Sequence, residues 1–227
     1  MRERPILFNT EMVMALLNGT KTCTRRVIKP QPKSKLCYTF AGSGCRTWGY
    51  PSPSAHEIWG EEYKLPDDIA KENLAKRWNP PYHTDDILYV RETWCKGLNR
   101  YLYRADYLDS EKFYKNGKEI KMKWKPSIHM PKEAARIWLK VTDVRVERLQ
   151  EITVDDCHRE GINIATSSVT DGETLKRNHN FSLEKFEILW DSTIKKSDLD
   201  RYGWDANPYV WVIEFERCGK RMQVQSR

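Results

Sequence analysis

Met12, Val13, Leu16 and Leu17 recur at helical spacing and predict a short helix with one apolar face. Asn9 and Thr10 precede it as N-cap candidates, and Gly19 follows as a left-handed C-cap. Beyond the glycine the period drops to two. Thr22, Thr24, Arg26 and Ile28 alternate with Cys23, Arg25 and Val27, which predicts a strand. One helix-to-strand corner therefore projects an amine, several hydroxyls and two guanidinium groups, a set suited to a polar or anionic ligand. A cationic run past a helix C-terminus also complements the macrodipole and solubilises a surface, so the pattern alone leaves both roles open.

Residues 31–84 are punctuated by prolines and glycines and read as loop, with a short helix expected from Asp67 to Trp78. Loops of this length are commonly lids or binding arms, and Tyr38, Phe40, Trp48, Tyr50 and Trp59 would contact a ligand or staple the loop. Asp86 to Trp94 reads as one strand, with Leu88, Val90, Glu92 and Trp94 on a shared face. A carboxylate among large apolar residues costs several kcal/mol unless paired. Glu92 therefore either forms a buried ion pair with an arginine or lines the site, holding Lys21 or Arg26.

Tyr101 to Asp106 is the expected partner strand, and the lysine-rich stretch Glu111 to Lys123 is expected to be solvated. His129 lies between two prolines in Trp124 to Pro131, so its backbone is restricted, and it either binds a base or phosphate or simply packs. Ile137 to Leu149 alternates as a strand whose phase slips at Thr142-Asp143, the mark of a bulge. Thr153 to Glu160 forms a compact helix capped by Thr153 and stopped by Gly161. Glu160 places a carboxylate at the negative end of that helix, a conflict that a cation such as Lys21 would relieve. Residues 162–181 read as a polar loop, Ser182 as the cap of a helix bearing Leu183, Phe186, Leu189 and Trp190, and Asp191 to Pro208 as another loop. Tyr209 to Glu216 is a centrally placed strand, and the polar residues 219–227 are expected to fray.

Bulk properties narrow the partners. At 227 residues the chain suits one domain with insertions, or a domain and a half, and its net charge of +7 favours an anionic partner. Nine Trp and eleven Tyr, interleaved with Arg and Lys, suit base stacking as well as an ordinary core. No apolar run reaches the ~20 residues of a membrane span, and the first residues lack a secretory pattern. A cytoplasmic protein without membrane contact is expected. The six cysteines contain no C-x-x-C pair; Cys37 and Cys45 with His56 or His83 would make a zinc site only without the usual close ligand pairs. Reduced thiols, no metal and no cofactor are expected.

Gly19, Lys21, Thr24 and Arg26 fit the G-x-K-x-x-T-x-R signature, and the chain thereby resembles the ASCH family. Arg4-Pro5-Ile6-Leu7-Phe8, Val27-Ile28-Lys29-Pro30 and Trp124-Lys125-Pro126-Ser127-Ile128-His129-Met130-Pro131 look like the larger, often phage-encoded branch of that family, and the closing strand is similar too. The resemblance spans residues 1–32, 85–94, 124–161 and the last strand, and leaves 33–84 and 162–207 uncovered. It implies an α+β fold: a PUA-like mixed β-barrel with peripheral short helices, as one domain over 1–227 with a large insertion at 33–84.

Small ASCH proteins that remove acyl groups from cytidine join the signature Lys and Thr to a glutamate in a short helix. The resemblance thus implies an amidohydrolase with Lys21, Thr24 and Glu160 as catalytic residues. Arg26, Glu92, Ser127 and His129 would bind the substrate, a modified nucleoside or nucleic acid, with RNA ahead of DNA. Either Lys21 or Glu160 would serve as base. Two alternatives remain: a non-catalytic reader of modified bases, and a metal-independent ribonuclease using Lys21 and His129.

Overall fold

The computed structural model describes residues 2–29, 31, 37–40, 46–49, 80–97, 100–107, 112–115, 118–162 and 172–219. The expected helix from Asp67 to Trp78 and the loop aromatics Tyr50 and Trp59 lie outside them. Strand β1 (Glu3–Leu7) leads into helix α1 (Thr10–Leu17). Asn9 caps α1 by accepting the Met12 N–H at 2.8 Å, and Gly19 turns the chain out at φ +77°. Strand β2 (Cys23–Val27) follows, and β3 (Cys37–Phe40) pairs antiparallel with β4 (Arg46–Gly49).

The expected single strand from Asp86 to Trp94 is two. β5 (Ile87–Arg91) ends before Glu92, and β6 (Trp94–Lys96) pairs with β7 (Tyr101–Tyr103). The interruption changes which residues share a core. Leu88 and Val90 join the main cluster with Ile6, Val13, Ile213 and Phe215, whereas Trp94 joins Ile87, Tyr89, Met130 and Trp138 on the other side. Glu92 thus stands at a break and not on the face of Leu88 and Val90.

The lysine-rich stretch contains strands β8 (Phe113–Lys115) and β9 (Lys118–Ile120), which form a hairpin ladder. Strand β10 (Trp138–Arg148) pairs with β11 (Tyr209–Cys218), and its register shifts between Val141 and Asp143, where the alternation of the sequence slips. Between them lie α2 (Val154–Arg159), α3 (Gly172–Thr193) and α4 (Leu199–Tyr202). Helix α3 begins inside the expected polar loop, so Ser182 is a buried interior residue and not a cap. Phe186 and Trp190 stack at 6.1 Å and supply the apolar stripe that holds the helix against Val210 and Val212.

The main sheet has the order β1-β5-β10-β11-β2, with β1 and β5 parallel and the remaining pairs antiparallel. Helices beside this mixed sheet make an α+β fold. Among the described residues its hydrogen-bonded ladder is open, with β1 and β2 at the edges, in place of the closed ring expected of a barrel. The side chain of Arg26 on β2 nevertheless reaches the Leu7 carbonyl at the end of β1, at 3.1 Å. No helix among the described residues is long and apolar enough to cross a membrane.

Candidate functional site

The end of α2 is pressed onto the α1–β2 corner. Thr153 caps α2 reciprocally with Asp156, and the helix closes at Glu160 before Gly161 turns at φ +89°. A methyl group at Gly161 would stand 2.7 Å from the Ala15 Cβ and 3.2 Å from the Lys21 Cβ. Only glycine permits both the backbone conformation and the approach. The main chain is stitched across the same contact, with the Thr22 N–H donating to the Arg159 carbonyl at 2.8 Å.

That contact joins Lys21 to Glu160. The Lys21 amine donates to Glu160 Oε2 at 2.8 Å and to the Glu160 carbonyl at 2.7 Å. One cation thereby relieves the carboxylate at the helix end and satisfies a terminal carbonyl. The other oxygen, Oε1, accepts the Arg25 N–H at 2.7 Å, a donor on the outer edge of β2 that the sheet leaves unpaired. Lys21 is 3% exposed and Glu160 5%. Burial pulls the Lys21 amine below the usual lysine range, while Glu160 opposes that shift.

Phe8 lies beneath the cations. Its ring centroid is 5.3 Å from the Lys21 amine and 5.5 Å from the Arg26 guanidinium. Arg26 also donates to the Thr24 hydroxyl at 3.1 Å. An amine, a carboxylate, a guanidinium and a buried hydroxyl therefore collect around one aromatic ring. Lys21 and Glu160 bond directly, and Thr24 joins through Arg26 and through its neighbour Arg25.

Sequence reasoning set Arg25 at the corner but gave it no place in the site. Its side chain is fully buried and bonds Glu147 at 2.9 Å and Asp156 at 3.1 Å. A closed ring of ion pairs continues from there: Glu147–Arg145 at 2.7 Å, Arg145–Glu214 at 2.5 Å, Glu214–Arg159 at 2.7 Å and Arg159–Asp156 at 3.6 Å. The ring ties β2, β10 and β11 to α2 and so fixes where Glu160 stands. Burial works against the Arg25 cation, but Glu160, Glu147 and Asp156 outweigh it and hold its pKa above the usual value. The rule that singled out Glu92, a charge on an apolar face, applies equally to Arg25 between Cys23 and Val27. Phe8 was legible only as part of a family-like leader. Cys23 is buried in the same region, and desolvation pushes its thiol up to about 12, so it is an inert packing group at neutral pH.

Glu92 takes the ion-pair alternative. It is 1% exposed and receives a bidentate grip from Arg136, with Nε and Nη2 each at 2.9 Å. Arg136 also grips Asp106 at 2.7 and 2.8 Å and stacks 4.1 Å from the Tyr103 ring centroid. Burial raises the Glu92 pKa against the pull of Arg136. Ser127 and His129 form a short turn, with His129 exposed. That turn is anchored by Met130, whose sulfur accepts the Glu92 N–H at 3.2 Å, and by Arg91, which donates to the Ile128 carbonyl at 3.3 Å. Among the described residues no hydrogen bond or ion pair joins Glu92, Ser127 or His129 to Lys21, Thr24, Arg26 or Glu160.

Cys23, Cys95, Cys157 and Cys218 are free, and no group of three or more His, Cys, Asp or Glu among the described residues is placed to hold a metal ion. The zinc site considered from the sequence depends on Cys37 and Cys45 with His56 or His83; the side chains of Cys37, Cys45 and His56 lie outside the described residues. Compared with family models, curated proteins and solved structures, the chain matched none.

Proposed function

We propose that this protein is an ASCH-like amidohydrolase that removes an acyl group from a modified cytidine-type base, working at the mouth of a PUA-like barrel. The observation that carries the reading is the buried Lys21–Glu160 pair beside Thr24 and Arg26. The bridge from Arg26 to Leu7, which links the outer strands of the sheet, supports the barrel.

Burial draws the Lys21 amine toward its neutral form, while Glu160, held through Oε1 by the Arg25 N–H, opposes that shift and fixes the amine by accepting its hydrogen bond through Oε2. Lys21 in its neutral form takes the Thr24 proton as Oγ1 attacks the acyl carbon, the negative charge passes to the acyl oxygen, and Arg26, which donates to Oγ1, orients that oxygen for attack. The C–N bond breaks, and the exocyclic amine leaves with the proton that Lys21 returns. Water then attacks the acyl-threonine and gives a proton to Lys21, which passes it to Oγ1 as that oxygen leaves, and the freed acid releases its remaining proton to solvent as the carboxylate departs.

Incubation with N4-acetylcytidine, followed by chromatography, tests the proposal. Cytidine and acetate are expected from the wild type, and Lys21→Met should lower kcat by about 100-fold or more. No turnover at high enzyme concentration overturns the hydrolase. One observation favours a second reading, a non-catalytic reader: both oxygens of Glu160 are engaged by the protein and the pair is almost closed to solvent. Saturable binding of the nucleoside without turnover is its signature.

A further inference from the structure

Between Lys112 and Lys125 the chain carries six lysines and one glutamate, a net +5 against +7 for the whole protein. Most of the excess positive charge thus sits on the β8–β9 hairpin and the segment leaving it. The base of the hairpin is an aromatic knot: the Phe113 ring lies 5.1 Å from Tyr107 and 6.1 Å from Trp124, and Tyr107 lies 5.8 Å from Trp124. Register places Phe113 opposite Ile120 and Tyr114 opposite Glu119. Tyr114 therefore stands on the other face from the knot, and it is 63% exposed. Glu119, its cross-strand neighbour, is neutralised by Lys112 at 3.0 Å. Lys118, Lys121 and Lys123 are all exposed.

A stiffly rooted ribbon that presents cations and one bare aromatic ring has the two features of a single-strand binding surface, phosphate neutralisation and a stacking platform. We propose that this hairpin is an arm that binds single-stranded nucleic acid. The inference deepens the nucleobase reading above: the modified base would arrive within a polymer and not as a free nucleoside. Chain continuity supports that link. The segment leaving the arm makes an isolated bridge from Lys125 to Trp94 and enters the Ser127–His129 turn. Arg91 holds that turn and bonds Phe8 through its carbonyl, and Arg26 bonds the adjacent Leu7 carbonyl. Arm and site are therefore joined at one end of the parallel β1–β5 pair. The site itself is nearly closed, and an unpaired strand offers its bases without the cost of opening a duplex.

Fluorescence anisotropy with a labelled RNA of about 20 nucleotides, across roughly 50 to 200 mM salt, tests the arm. Against the wild type, the triple variant Lys118→Gln, Lys121→Gln, Lys123→Gln should bind at least about tenfold more weakly, with a log–log salt slope smaller by about 2. Tyr114→Ala should lose at least about fivefold without changing the slope. All four side chains are exposed, and unchanged melting temperatures establish that the variants fold. Equal binding by the triple variant overturns the proposal. So does tighter binding of a duplex, or stronger binding of phosphatidylserine vesicles through the same lysines. Acylcytidine turnover, measured on the same samples, separates the two ideas. Its absence from the wild type removes the hydrolase and leaves the arm, whereas unaltered RNA binding removes only the arm.

Discussion

Replacing Lys21 with methionine would leave the Glu160 carboxylate buried without its cation. Two contacts survive: the Arg25 N–H at 2.7 Å and the Arg25 guanidinium at 3.6 Å. Breaking a buried ion pair from one side costs about 3 to 5 kcal/mol, and the surviving contacts place this case near about 3. For a chain of this size that lowers the melting temperature by roughly 6 to 12 °C. Glu160→Gln should cost less, about 1 to 2 kcal/mol, because the amine keeps the Glu160 carbonyl and is already biased by burial toward its neutral form. The double variant removes both charges, so its loss should fall short of the summed single losses by about 2 kcal/mol. Urea unfolding of the four proteins at neutral pH measures that coupling. Additive single effects, or a Lys21→Met cost under about 1 kcal/mol, would refute a desolvated pair and with it the tuned amine.

The structure carries three further expectations. Gly161→Ala meets Ala15 at 2.7 Å in a left-handed backbone and should destabilise the fold by about 1 to 3 kcal/mol while lowering activity, because α2 must withdraw from Lys21; calorimetry with turnover checks both. Glu92→Gln should lower stability by about 2 kcal/mol with nucleoside turnover per folded molecule unchanged, since Glu92 serves Arg136; a selective fall in kcat would place it in the chemistry. The acid limb of stability follows from Asp86, Asp156 and Glu214. Asp86 and Asp156 are held below the usual carboxylate range by backbone N–H donors and arginines that outweigh burial, and Glu214 by its bond to Arg159. Their stabilisation is complete above the unfolded values and is lost as pH falls through the folded ones, so melting temperature should drop below about pH 4, and more gently in Asp156→Asn; identical slopes would contradict it.

Local features were legible wherever their cause was local. The cap at Asn9, the turn at Gly19, the reciprocal cap at Thr153 and the bulge in β10 each follow from neighbours a few residues apart. The alternation of Cys23 to Val27 separated the faces of β2 correctly, but a two-residue period cannot say which charge a buried guanidinium will meet. The break at Glu92 was hidden because its apolar neighbours continue the alternation across it. Helix α3 was shortened because its polar first turns resemble a loop, and its apolar stripe begins only near Leu183.

Sequence by itself determined the first helix and most strands of the main sheet, the corner that offers Lys21, Thr24 and Arg26, and the misplaced charge of Glu160 that called for a cation. Tertiary structure decided the partners. Lys21 meets Glu160 across 139 residues of chain, Arg25 meets Asp156 across 131, and Glu92 meets Arg136 across 44. Such pairings are chosen by sheet order and register, which bring distant segments together, and a buried charge takes whichever counter-charge the folded backbone sets within reach.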